Sequence, residues 1–187
     1  MFRNVCTLLL IIAAIGGSSA LNIISRDGWG ARDPTSTQSM SNPVPYVVIH
    51  HSESPGACYS KADCIDAMQS MQNYHMDSNG WADIGYSFGV GSDGNAYTGR
   101  GWSKVGAHAP GYNTKSIGIC LIGNWMNDLP PSKQLQAVHD LIQYGVDNGK
   151  ISSNYKLVGH RQVRDTDCPG DTLYQEIKSW AHYTPNP

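Results

Sequence analysis

Short apolar runs alternate along this chain with segments whose apolar residues recur at helical spacing, and that alternation limits it to folds in which helices pack on a sheet. The runs at 46–49, 86–90, 95–99, 116–122 and 155–158 read as strands. Pro45 precedes the first, and Pro55-Gly56 breaks the chain after it. Ser60 and Asp63 then form a capping pair that opens a helix with Ile65, Met68 and Met71 turned inward, ending near Asn79-Gly80. Ser92-Asp93-Gly94 joins the second and third strands as a hairpin turn. Pro130-Pro131-Ser132 starts a second helix carrying Leu135, Val138, Ile142 and Val146. A third, from about Asp171, places Leu173, Ile177 and Trp180 on one face. The expected class is α/β: a single domain with a mixed central β-sheet flanked by helices.

The first twenty residues stand apart from that pattern. Arg3, the apolar stretch 5–15 and the small residues Ser18-Ser19-Ala20 together read as a secretory signal peptide, and the stretch is too short to span a bilayer. A secreted, extracellular protein is expected, with residues 21–187 as its one folded domain. Removing Arg3 from the 13 basic residues leaves 12 against 15 acidic ones. That balance offers nothing to nucleic acid or to an anionic membrane, so neither is expected as a partner, and a monomer is expected.

In an oxidising compartment Cys58, Cys64, Cys120 and Cys168 allow three full pairings, among which the spacing does not choose. Cys58 and Cys64 are near enough to close a small ring, worth roughly 2–2.5 kcal/mol. Cys120 lies in the apolar run Ser116-Ile117-Gly118-Ile119-Cys120-Leu121-Ile122, where a free thiol behaves as a small hydrophobe. Cys168 is either a disulfide partner for it or something else.

The chemistry suggests something else. His50 and His160 both sit at the ends of expected strands, and Cys168 follows His160 by eight residues in a Pro-Gly loop. Two imidazoles and one thiolate from separate segments supply three corners of a zinc tetrahedron and leave the fourth for water, the layout of a catalytic zinc site. No His-Glu-x-x-His helix and no Cys-x-x-Cys pair occurs, which excludes a thermolysin-like site and argues against a closed structural one. A water bound there becomes available as hydroxide near neutral pH, and the natural reaction is hydrolysis of an amide or ester. Tyr86 is the candidate to orient the attack or stabilise the oxyanion, and Thr166 is a second.

The stretches Val47-Val48-Ile49-His50-His51, Asn73-Tyr74-His75-Met76-Asp77, Gly80-Trp81 before Asp83-Ile84-Gly85-Tyr86, Tyr97-Thr98-Gly99-Arg100-Gly101-Trp102, Gly106-Ala107-His108 and Gly159-His160-Arg161-Gln162-Val163 with Thr166 and Cys168-Pro169-Gly170 resemble the animal peptidoglycan recognition proteins. The resemblance runs from about Ile23 to Trp180 and implies the type 2 amidase-like fold. It implies zinc (Zn2+) on His50, His160 and Cys168 with Tyr86 beside it, a disulfide between Cys58 and Cys64, and hydrolysis of the bond between N-acetylmuramic acid and L-alanine. Its partners would be bacterial peptidoglycan and muropeptide fragments. Thr166 stands where related phage amidases carry a lysine, which gives it a supporting role.

The resemblance also implies a preference for diaminopimelate-type stems, carried by Gly80, Trp81 and Arg100, since an arginine fork recognises the extra carboxylate. His108 is expected to line the groove. Two stretches are similar to a secreted insect member that degrades diaminopimelate-type fragments and so damps immune signalling. Other members only bind peptidoglycan and typically lack the cysteine ligand, which makes a non-catalytic recognition module the alternative. His51, His75, His139 and His182 are read as structural or solvated.

Overall fold

A computed structural model of the protein describes residues 21–187, so the expected signal peptide lies outside the described residues. Its strands are β1 (Ile23–Ile24), β2 (Val44–His51), β3 (Phe88–Val90), β4 (Ala96–Thr98), β5 (Ser116–Leu121) and β6 (Ile151–Gly159). Its longer helices are α1 (Lys61–Asn73), α2 (Ser132–Asp147) and α3 (Asp171–Ile177). The six strands form one mixed sheet in the order β1-β4-β3-β5-β2-β6, in which only the β3–β4 hairpin is antiparallel. The expected α/β class is therefore the observed one.

Local chemistry explains the boundaries. The Ser60 hydroxyl accepts the Asp63 backbone N–H at 3.2 Å and caps α1, whose last turn widens into a π-helical turn at Tyr74–Ser78. Strand β6 is longer than its apolar run because the polar Ser152 to Asn154 lie on the way in, and β1 was too short to register as a run. Helix α3 stops at Ile177, yet Trp180 beyond it remains buried.

Side-chain alternation divides the sheet. One face, with Val47, Ile49, Ile117 and Ile119, packs on Val138 and Leu141 of α2. Ile119 and Leu141 are fully buried, and truncation of either to Ala costs about 2–5 kcal/mol. The other face is covered in two parts. Met68 and Met71 of α1 pack with Cys120 and Ile122, while Ala109 and Tyr112 of the loop before β5 pack with Val48 and Val158. His50 pairs in register with Cys120 on this second face, at the carboxyl end of β2. Parallel β2 and β6 end at the same rim, which is where an α/β sheet characteristically places its ligands.

The stretch leading to Tyr86 is held by a buried carboxylate. Asp83 accepts the Arg26 guanidinium at 2.9 Å, Gln72 Nε2 at 2.7 Å and the Ile84 N–H at 2.8 Å, so its charge is fully partnered. Cys58 and Cys64 form a disulfide that packs against Gly91, where an added Cβ would stand 2.5 Å from Cys64 Sγ.

Candidate metal centre

Three segments converge at the carboxyl rim. β2 delivers His50, β6 hands over at Gly159 to a 3₁₀ turn that begins with His160, and the loop before α3 brings Cys168 back over both. Backbone bonds fix that loop: the Arg161 N–H donates to Cys168 O at 2.8 Å, and the Gly170 N–H donates to Asp167 O at 2.8 Å. Gly170 sits at φ +95°, a left-handed conformation that a side chain resists. Arg161 also pairs with Asp171 at 2.7 Å and donates to Asp167 O.

One donor atom each from His50, His160 and Cys168 lies within 4.8 Å of the others. Cys168 Sγ is 3.7 Å from His50 Nδ1 and accepts the His51 backbone N–H at 3.4 Å. The set fits a cation on an independent count, since His160 Nε2 is buried with no hydrogen-bond partner among the described residues. Burial pushes the Cys168 thiol up to about 12, and burial followed by the Arg164 charge pushes His160 down to about 4. Both shifts penalise lone charges, so a thiolate here calls for a cation beside it. Neutral imidazoles with a thiolate are a zinc donor set.

A cleft of about 520 Å³ opens over these residues, walled by Ser52, Tyr86, Met126, Thr166 and Cys168 among others. A second, of about 440 Å³, runs toward Met71, Tyr74 and His75, and shares Ser52, Glu53 and Tyr86 with the first. Tyr86 thus stands where the two meet, its ring centroid 5.3 Å from that of His50. Burial holds its phenol well above the ordinary range, so the hydroxyl keeps its proton and can donate it. Thr166 Oγ1 accepts the Cys168 N–H at 3.2 Å and faces the same cleft.

The remaining expected site residues lie elsewhere. Gly80 is exposed at φ +68°, and Trp81 stacks on His75 with centroids 4.7 Å apart. Arg100 donates to Ile84 O at 2.7 Å, Val105 O at 2.8 Å and Asp83 O at 3.4 Å, gripping the segment before Tyr86. It borders a separate hollow of about 260 Å³ beside Arg26 and Lys104. His108, expected to line the groove, is only 5 % exposed and borders neither of these two clefts, and its Nδ1 lies 3.0 Å from His50 Nε2.

Sequence reasoning passed over Glu53, which borders both clefts with φ +57°. Its N–H donates to Gly123 O at 2.9 Å, and Ser52 Oγ accepts the Gly123 N–H at 2.8 Å. The only available signal was its place two residues after His51.

Comparison with known proteins agrees with this geometry. The N-acetylmuramoyl-L-alanine amidase family model matches residues 40–171. Peptidoglycan-recognition protein LB of Drosophila melanogaster is 54% identical over 168 residues, covering 90% of this chain and 72% of the relative. Peptidoglycan-recognition protein SC2 of the same fly is 44% identical over 183 residues, covering 98% and 99%. The structure of wild-type Drosophila PGRP-LB superposes with a TM-score of 0.87 at 55% identity, covering 88% of this chain and 97% of that one. A tyrosine-to-phenylalanine variant of PGRP-LB bound to tracheal cytotoxin superposes with a TM-score of 0.86 at 55% identity, covering 87% and 96%. With its fold, its His-His-Cys cluster and its sequence all in accord, this chain belongs to the peptidoglycan recognition proteins of the N-acetylmuramoyl-L-alanine amidase family.

Proposed function

We propose that the protein is a secreted zinc amidase that hydrolyses the bond between N-acetylmuramic acid and L-alanine in peptidoglycan. The observation that carries this reading is the convergence of His50, His160 and Cys168 within 4.8 Å of one another, below an open cleft bordered by Tyr86. Held by these three residues, zinc supplies Lewis acidity and lowers the pKa of water. The Tyr86 hydroxyl donates a hydrogen bond to the oxyanion that forms when the amide carbonyl is attacked, and one such donor is worth about 10²–10³ in kcat. Thr166 keeps the Cys168 loop in place and offers its hydroxyl to the cleft wall. The adjoining cleft toward His75 and Tyr74 gives the peptide stem a place to lie.

The substrate class has support from the relatives, since the PGRP-LB variant holds tracheal cytotoxin, and PGRP-LE is also described in complex with it as monomeric diaminopimelic acid-type peptidoglycan. We assign the same stem preference here to Gly80, Trp81 and Arg100. The three bonds of Arg100 leave two of its five N–H groups for a carboxylate. We propose, from the resemblance to the secreted insect member, a scavenging role in which cleavage damps immune signalling.

The test is zinc content and muramyl-peptide release by the wild type and by Cys168→Ser. Zinc in the wild type with turnover that vanishes in Cys168→Ser is the expected result. Equal turnover by the two proteins overturns the mechanism, and tight peptidoglycan binding by a metal-free, inactive wild type would instead make this a recognition module.

A further inference from the structure

We propose that His108 is a positioning residue that sets the tautomer of His50, so that His50 presents an unprotonated Nδ1 toward Cys168 before any ion arrives. The inference rests on the zinc reading above and deepens it.

The proton on Ser116 fixes the rest of the hydrogen-bond chain. The Ser116 hydroxyl is fully buried and carries a single proton, which it donates to Tyr112 O at 2.8 Å. Toward His108 Nε2, 3.4 Å away, Ser116 Oγ can then only accept. The proton of a neutral His108 therefore sits on Nε2, and Nδ1 becomes an acceptor. Its neighbour at 3.0 Å is His50 Nε2, which must donate. A neutral His50 has then used its one ring proton, and Nδ1, 3.7 Å from Cys168 Sγ, is left with a lone pair. Ligand imidazoles are oriented in this way by the partner of their other nitrogen, and loss of that partner typically costs 10–100-fold in metal affinity.

The surroundings show that this ring is placed and not merely tolerated. Asn113 Oδ1 accepts the backbone N–H of His108 at 2.9 Å and that of Ala109 at 2.8 Å, pinning the turn that carries the ring. Two glycines make room for it: a Cβ on Gly106 would stand 2.4 Å from His108 Cδ2, and one on Gly118 would stand 2.5 Å away. The edge-on arrangement with His50, at 84° and 5.0 Å between centroids, directs one nitrogen at the other. Neither cleft reaches His108, so a role in touching substrate has no geometric support.

The experiment has two arms. In the metal-free wild type, long-range ¹⁵N–¹H correlation spectra report which nitrogen of His50 carries the proton. The Nε2–H form is expected, and an Nδ1–H form overturns the proposal. In the second arm, zinc affinity is measured by chelator competition in His108→Phe, which fills the space without an acceptor, and in His108→Asn, whose Oδ1 can replace Nδ1. His108→Phe should bind zinc about 10–100-fold more weakly while keeping the wild-type far-ultraviolet spectrum, and His108→Asn should recover most of the loss. A folded His108→Phe with wild-type zinc affinity refutes the relay. Should the wild type take up no zinc at all, the amidase reading fails, and the spectra of the metal-free protein still decide the tautomer.

Discussion

Gly118 and His108 share one space: a Cβ built on the glycine would lie 2.5 Å from both Cγ and Cδ2 of the imidazole. A strand interior normally favours a larger residue, so this glycine is explained by the ring above it. Gly118→Ala must push His108 off its position or bend β5. Overpacking of this kind costs about 1–3 kcal/mol. Urea denaturation of Gly118→Ala should show that loss, and an unchanged midpoint would mean the ring moves freely.

Tyr86→Phe removes one hydroxyl from the junction of the two clefts and leaves the ligand set intact. Zinc content and muropeptide affinity should stay at wild-type values while kcat falls about 10²–10³-fold. A matching rise in KM with unchanged kcat would reassign the hydroxyl to substrate binding.

Arg100→Ala removes the guanidinium proposed to meet the stem carboxylate, together with its grip on Ile84 O and Val105 O. Cleavage of diaminopimelate peptidoglycan should fall at least about tenfold further than cleavage of lysine peptidoglycan, the equivalent of one charge-assisted contact. Equal losses on both substrates would leave Arg100 with its loop-holding role alone.

Burial, followed by the Arg100 charge, pushes His75 down to about 4. Its Nδ1 accepts the Gly85 N–H at 3.1 Å, and protonation destroys that bond. The unfolded chain takes up this proton near pH 6.5, so the associated stability is complete above 6.5 and declines as the pH falls toward 4, then levels off. The contribution lost between pH 7 and 4.5 is on the order of 2–3 kcal/mol. His75→Asn, whose Oδ1 can accept the same N–H, should show a stability profile flatter by about that amount in denaturant titrations at the two pH values. Parallel profiles would contradict it.

Much of the fold was legible because the strand runs and helix periods are local signals, and the two histidines of the His-His-Cys cluster were legible because they fall where those runs end. His50 and His160 required only that two apolar runs be parallel neighbours, as β2 and β6 are. The burial of His108 was not legible, for a physical reason. Its Gly-Ala-His-Ala-Pro setting has the composition of an exposed loop, and only the crossing over Gly118 buries it. Arg100 reads as a free cation in sequence, whereas its bonds are to backbone carbonyls that carry no sequence signature. Glu53 escaped notice because a single acid after a His-His pair has no periodicity to betray it.

The donors at the rim are contributed by residues 50, 160 and 168, from the end of β2, the turn after β6 and the loop before α3. The three atoms therefore coexist in one molecule only once synthesis has passed residue 168. Unlike a zinc finger, whose ion organises its fold, this domain gathers its donors by closing the sheet. A chain that stops just short of residue 168 consequently carries the two imidazoles without the thiol and lacks the full donor set.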